Sequence, residues 1–164
     1  SGWVAVDGVR RAFKGRGNRD KSWGARRTDN DTGMHYWRWF SMNFGDDLHL
    51  GGIRVGTGES AMQRGWLYKG GEFLSLRGMD VGTVLAADGL AQREVTLVAT
   101  DKHGGQHRFT GEVLNVQPLL ARGHEAMTIL EGLTRWQHEG RTGYGICEYA
   151  HHLDAQGRPL VAII

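Results

Sequence analysis

The alternation of side chains along short segments, broken by glycine-rich turns, constrains this chain more than any other feature. Residues 34–44, MHYWRWFSMNF, carry aromatic rings on both faces of the extended strand that the alternation predicts. We therefore expect this strand to be covered on both sides. The turn GDD at 45–47 and the segment LHLGGIRVGT that follows predict a hairpin, with a β-bulge at Gly51 and Gly52.

The same pattern recurs to the end of the chain. Turn signals stand at 69–72 (KGGE), 101–106 (DKHGGQ), 139–143 (EGRTG) and 154–157 (DAQG), and Gly78 predicts a kink within a long strand. Residues 125–140, EAMTILEGLTRWQHEG, contain good helix formers, but their apolar positions alternate, and Thr and Ile favour a strand. About eight to ten strands without a long helix predict an all-β fold: an antiparallel, lipocalin-like up-and-down β-barrel in a single domain over residues 1–164.

The amino-acid composition limits the classes of function that this chain could have. The 26 Gly against 2 Pro fit many tight turns, and the 6 Trp suggest a wide aromatic wall that belongs either to a core or to a pocket for an apolar ligand. The net charge of +2 gives little global field for attracting nucleic acid or a membrane surface. A single cysteine, Cys147, excludes an internal disulfide and is typical of a reducing compartment. Because the sequence shows neither an apolar run of transmembrane length nor a signal-peptide region, we expect a cytoplasmic protein with no membrane span.

Positive charge is concentrated in a cluster that begins at Arg10, ends at Arg27 and includes the segment GRGNRDKSWGARR. A nucleic-acid-binding barrel that uses this cluster is one alternative function. However, the sequence contains no recognition helix or stacking platform, and its glycines lack the Gly-Lys-Ser/Thr of a phosphate loop. In a purely structural interpretation, Asp20 accepts backbone hydrogen bonds, Trp23 plugs one end of the barrel and Gly24 permits a tight bend. Nucleic acid is therefore not the expected partner.

Three segments resemble one known group of proteins. They are NRDKSWGAR at 18–26, YWRWFSMNFGDDLHLGG at 36–52 and GYGICEY at 143–149. Together they resemble the carotenoid 1,2-hydratase/AttH-like, lipocalin-like superfamily, and in particular a bacterial branch with the motif RDxSWGxR. The resemblance implies a lipocalin-like barrel and an apolar ligand of the terpenoid, steroid or polyketide kind. It also implies tandem domains, so a site at their junction would be incomplete in this chain or completed by a homodimer. Lys21 stands where His is common in the superfamily.

Carboxyl groups beside aromatic residues are the candidates for cofactor-free acid–base chemistry. Hydration, dehydration or isomerisation of an alkene needs a proton donor in a dry pocket, and apolar walls raise the pKa of a carboxyl group into a useful range. Asp20 beside Trp23 and Glu148 beside Tyr144 are the catalytic candidates, with Tyr144 orienting a polar group, and Glu131 ranks third. The alternatives are that Asp20 pairs with a nearby arginine, that Glu148 pairs with a basic side chain across the sheet, and that Glu131 faces solvent.

The expected ligand pocket combines aromatic walls with a few polar groups. Its predicted lining residues are Trp23, Arg26, Trp37, Trp39, His49 and Trp66. Two His pairs, His103 with His107 and His151 with His152, have no third ligand at a suitable spacing, so we expect no metal, and the sequence indicates no cofactor. It also contains no Gly-x-Ser-x-Gly elbow, and we predict a buried, inert thiol at Cys147.

The function predicted from the sequence is therefore the binding of a hydrophobic small molecule in a barrel pocket. The same pocket would support hydratase, lyase or isomerase (pericyclase-like) catalysis without a cofactor. The alternative from another class is a non-catalytic carrier or a structural domain, and the nucleic-acid-binding barrel is a weaker one. The expected partner is an apolar small molecule, and a homodimer is expected if one barrel leaves the site incomplete.

Overall fold

The computed structural model describes residues 1–17, 19, 21, 23, 34–57, 60–119 and 127–163. Every regular element among them is a β-strand, and none of these residues forms a helix that could cross a bilayer. In chain order the strands are β1 (Gly2–Val6), β2 (Val9–Phe13), β3 (Tyr36–Asn43), β4 (Leu48–Gly56), β5 (Ala61–Lys69), β6 (Glu72–Leu85), β7 (Gln92–Asp101), β8 (Gln106–Leu119), β9 (Met127–His138) and β10 (Arg141–His152). The predicted all-β class is confirmed.

Eight of the strands close into a barrel. Each strand from β3 to β9 pairs antiparallel with the next strand in the chain, and β10 pairs with β3 to complete the ring. This up-and-down order confirms the predicted lipocalin-like barrel. β1 and β2 form a separate two-stranded ribbon, which the patterns above do not predict.

Tight turns are gathered at one end of the barrel, here called the short-turn end. Turns at 45–47, 70–71, 102–105 and 139–140 join consecutive strands there, as the sequence predicts. A shift of strand register between Leu76 and Gly78 confirms the kink in β6. The bulge predicted at Gly51 and Gly52 is wrong, because both residues pair in regular register with β3 and β5.

Inward side chains fill the barrel. Phe40, Leu97, Phe109, Trp136 and Tyr149 are fully buried there. The ring of Phe40 meets those of Trp136 and Tyr149 edge to face, with centroids 6.2 and 6.4 Å apart. Burial of each large apolar side chain stabilises the fold by roughly 1.5–3 kcal/mol. The interior is therefore a packed core.

Asp101 organises the short-turn end. Its carboxylate accepts hydrogen bonds from the backbone N–H groups of His103 and Gly105 and from Nε2 of His107, at 2.8 to 3.0 Å. The hydrogen bond from His107, supported by those from the backbone, lowers the pKa of Asp101 to about 2. This carboxylate therefore holds the β7–β8 turn in place.

Polar side chains lie inside the opposite end of the barrel. The guanidinium of Arg38 lies between the rings of Tyr36 and Tyr149, 5.3 and 5.1 Å from their centroids. The hydroxyl groups of Tyr149 and Thr83 share a hydrogen bond of 2.6 Å. Burial, and then the nearby charge of Arg38, lower the pKa of His151 to about 4. A neutral imidazole therefore lies beside a buried cation.

Gly145 lies at the seam where β10 meets β3. A Cβ atom on it would overlap the carbonyl oxygen of Ser41, so any larger residue must push the two strands apart. We expect Gly145→Ala to lower the free energy of unfolding by about 3 kcal/mol or more, measured by urea denaturation. Gly78→Ala is the matched control, because a Cβ atom there meets only Oε1 of Gln63, at 4.0 Å. Equal stability of the two variants would contradict close packing at the seam.

Candidate functional site

The outward side chains of β9, β10, β3, β4 and β5, here called the outer wall, form continuous rows across the sheet. One row consists of Glu131, Glu148, Trp39, Ile53 and Arg64, each the register partner of the next. Register partners lie side by side on the same face of a sheet. The outer wall therefore joins two carboxyl groups to aromatic and apolar surface.

The tryptophans predicted to line a barrel pocket lie on the outer wall, so their predicted interior position is wrong. Trp37, Trp39 and Trp66 are half-buried, whereas Phe40, next to Trp39 in β3, is fully buried inside. Successive side chains of a strand point to opposite faces, so the inward direction of Phe40 forces Trp39 outward. Of the six tryptophans, Trp136 is the one in the core.

The other predicted site residues are not gathered in one place. Tyr144 is an outward residue of β10 and so belongs to the outer wall, but it is 54% exposed and lines a separate, polar groove. Trp23 is 83% exposed, so it does not plug the end of the barrel. Asp20 and Arg26 lie outside the described residues. His49 does line an aromatic groove, on the outer wall.

Glu131 and Glu148 form a carboxyl pair in the middle of the outer wall. They are register partners on β9 and β10, both are half-buried, and the Glu148 side chain lies close enough to raise the pKa of Glu131. Nε1 of Trp37 donates a hydrogen bond to Oε1 of Glu148. The basic partner predicted across the sheet for Glu148 is wrong, because its register partners are Trp39 and Glu131. Glu131 points outward as expected, but its carboxyl group is partly withdrawn from solvent.

The two carboxyl groups have different environments. Burial, the hydrogen bond with Glu148 and repulsion from its charge raise the pKa of Glu131 to about 7. The indole N–H of Trp37 donates its hydrogen bond to Oε1 of Glu148, so the two carboxyl groups have different neighbours. With a pKa of about 7, Glu131 can donate or accept a proton near neutral pH.

A groove of about 380 Å³ lies on the outer wall, over strands β3, β4 and β5. Its aromatic walls are Trp39 and Trp66, and its floor includes Gly51 and Gly65. A Cβ atom on Gly51 would come within 2.8 Å of the indole of Trp66, so the absence of a side chain lets this ring lie against the sheet. Neither Glu131 nor Glu148 lines the groove, but Trp39 is the register partner of Glu148, so this wall of the groove lies beside the carboxyl pair.

A second groove, of about 540 Å³, shares Trp66 with the first. Its other lining residues are Arg16, Gly17, Asn43, His49, Tyr68 and Phe73. Nδ1 of His49 hydrogen-bonds to Oδ1 of Asn43 at 2.8 Å. Burial, and then the charge of Arg16, lower the pKa of His49, so this imidazole is neutral near pH 7. It supplies a polar group to a largely aromatic groove.

The remaining candidates for chemistry are less suited to it. A third groove, of about 730 Å³, lies on β7 to β10 and is polar, with an ion pair between Arg135 and Glu112. The described part of the chain contains no group of three His, Cys, Asp or Glu side chains that could hold a metal ion. As predicted, Cys147 is buried, and burial raises the pKa of its thiol. The outer wall therefore carries the candidate site.

Sequence reasoning misses two parts of this site. It treats Glu131 and Glu148 as separate candidates, although each stands in the middle of an apolar stretch, ILEGL at 129–133 and ICEYA at 146–150. Two acids in such positions are a usable signal, but their pairing depends on the register of β9 with β10. It also interprets Gly51 as a bulge, whereas the residue provides space for an aromatic ring.

The interaction between Glu131 and Glu148 can be tested by titration. We expect Glu148→Gln to lower the pKa of Glu131 from about 7 toward its ordinary value of 4.5 without reaching it, because burial, the largest cause of the rise, remains. Carbon-detected NMR of the side-chain carboxyl groups measures this pKa. Glu112→Gln removes an exposed carboxylate that pairs with Arg135 and serves as the control. An unchanged pKa of Glu131 in Glu148→Gln would show that the two groups do not interact.

Comparison with known proteins gives a family for this chain. No curated protein and no solved structure matches it. The sequence pattern of one family, described as a domain of unknown function (DUF7064), matches residues 1–153. That match spans the β1–β2 ribbon and all eight strands of the barrel. The chain therefore belongs to the DUF7064 family.

Proposed function

We propose that this chain binds an apolar small molecule in the groove between Trp39 and Trp66, and that the adjoining carboxyl pair exchanges protons with it. The observation that carries the proposal is the register pairing of Trp39, a wall of the groove, with Glu148. An aromatic groove alone would indicate only a surface that binds apolar molecules. A groove with one wall beside two carboxyl groups, one of which has a pKa raised to about 7, fits acid–base chemistry on the bound molecule.

The groove favours a flat or extended hydrocarbon with a polar group at one end. Its volume of about 380 Å³ lies within the range of small-molecule sites. The indoles of Trp39 and Trp66 offer flat apolar surface, and Arg64 lines the groove as a cation that a ligand oxygen would contact. Such a ligand would extend along the outer wall with its reactive carbons toward Glu148.

The carboxyl pair supports isomerisation without a cofactor. Glu148 removes a proton from a carbon next to a double bond, and Glu131 donates its proton to another carbon of the same conjugated system. The double bond moves, and the pair still holds one proton, now on Glu148. With water as the second reactant, the same acid and base would add water to an alkene or remove it. The proposed activity is therefore that of a cofactor-independent isomerase or hydro-lyase.

The resemblance to the carotenoid 1,2-hydratase/AttH-like superfamily supports the same chemical class. It implies apolar ligands of the terpenoid, steroid or polyketide kind, whose conjugated carbons suit proton transfer. The present proposal differs from the sequence-based prediction in the position of the site. The ligand is proposed to lie against the outer wall, because the barrel interior is packed with side chains such as Phe40 and Trp136.

The groove makes a binding prediction that needs no knowledge of the natural ligand. We expect Trp39→Ala to weaken binding of the fluorescent probe 8-anilino-1-naphthalenesulfonate at least about tenfold, because an apolar wall contributes roughly 1.5–3 kcal/mol. Gly51→Ala should also weaken binding, since its Cβ atom would displace the ring of Trp66. Fluorescence titration measures both affinities. Gly82→Ala is the matched control, because nothing lies within 4 Å of a Cβ atom there. Unchanged affinity in Trp39→Ala would place the probe elsewhere.

Proton exchange on a bound molecule tests the catalytic part. Native mass spectrometry of freshly purified protein should reveal a co-purified apolar molecule. After transfer to deuterated water, that molecule should gain deuterium at carbon in the wild type and not in Glu148→Gln, while remaining bound in both. A bound molecule that gains no deuterium in the wild type would identify a carrier. Equal deuterium uptake in the wild type and in Glu148→Gln would exclude Glu148 as the base.

A further inference from the structure

The ribbon formed by β1 and β2 is not used by the proposed function. It is a sheet of its own, and all ten of its strand residues are exposed. Within the described part of the chain, no barrel strand pairs with it. A two-stranded hairpin alone is at best marginally stable in water and gains stability from a surface that covers it. The ribbon therefore presents an unpartnered sheet face.

One face of the ribbon is apolar. The register pairs Val6 with Val9 and Val4 with Arg11, so these side chains share a face with Phe13. Val4, Val6, Val9 and Phe13 are between 48% and 60% exposed. The long stem of Arg11 is itself apolar and can turn its guanidinium toward a polar boundary. On the other face, the guanidinium of Arg10 lies 3.9 Å from the ring centroid of Trp3.

The region that contains the ribbon is strongly basic. Residues 1–21 contain six Lys or Arg against two Asp, a net charge of +4, and the rest of the chain contains 14 basic against 16 acidic residues, a net charge of −2. Arg11 lies on the apolar face, Arg10 lies on the opposite face and Lys14 follows the end of β2; all three are exposed. A cationic, amphipathic element of this kind complements an anionic lipid surface, where apolar side chains enter the headgroup boundary and cations meet lipid phosphates.

We infer that the β1–β2 ribbon docks this protein on anionic membranes, with the face of Val4, Val6, Val9 and Phe13 toward the acyl chains. The inference goes beyond the proposed function and does not depend on it. Nucleic acid fits this face of the ribbon less well than a membrane does. Contacts with phosphate groups gain nothing from four exposed apolar side chains on the same face. A second copy of the ribbon is also weaker, because pairing two ribbons would bring Arg10, Arg11 and Lys14 of both copies together.

Vesicle binding tests the inference with the full chain. We expect the protein to co-sediment with phosphatidylcholine vesicles that contain phosphatidylglycerol, and to bind pure phosphatidylcholine vesicles at least about tenfold more weakly, with the difference lost at high salt. The double variant Arg10→Glu with Arg11→Glu should lose at least about tenfold in affinity for the anionic vesicles. Val4→Asp with Val9→Asp should do the same through the apolar face.

Matched controls separate the ribbon from general charge effects. Arg77→Glu with Arg108→Glu makes the same change in net charge at exposed barrel positions and should leave vesicle binding unchanged. Thermal unfolding confirms that each variant retains the barrel, which forms a sheet separate from the ribbon. Three results would overturn the inference: no binding of the wild type to anionic vesicles at low salt, binding that survives both ribbon variants, or a ribbon-dependent dimer or DNA complex without vesicle binding.

Discussion

The antiparallel pairing of β10 with β3 is the constraint on which the rest of the structure depends. It closes the barrel, and it requires Gly145, because the carbonyl group of Ser41 occupies the space where a side chain would begin. The same pairing brings together residues 111 positions apart in the chain, so that Trp37 donates a hydrogen bond to Glu148. Closure of the barrel and the contact between Trp37 and Glu148 therefore depend on the same strand–strand seam.

Closure also determines where ligand chemistry can occur. Alternation sends Phe40 and Tyr149 into a packed interior and leaves Trp39 and Glu148 on the outer wall. A ligand bound there meets flat indole surface and a partly desolvated carboxyl pair, but it is covered on one side only. The homodimer expected from the sequence would cover the open side, and it stays a prediction, as does a cytoplasmic location.

The carboxyl pair shows how neighbours, more than residue type, determine chemical role. Glu131 and Glu148 are identical side chains on adjacent strands, yet burial and the neighbouring Glu148 raise the pKa of Glu131 to about 7, whereas Trp37 donates a hydrogen bond to Glu148. The ribbon of β1 and β2 is the opposite case, because its apolar and basic surface follows directly from the residues of its own two strands. Its valines and arginines remain exposed, and we propose that a membrane surface covers them.

The sequence by itself determined the all-β class, the positions of the tight turns and the alternation within each strand, because these follow from local periodicity and from glycine in turns. It also singled out Glu148, Trp39 and His49. Only the tertiary structure decided that the indoles of Trp37, Trp39 and Trp66 face outward, that Gly51 makes room for a ring, and that Glu148 meets Glu131. Alternation specifies two faces but not which of them a closed barrel encloses, and strand register is a property of long-range pairing.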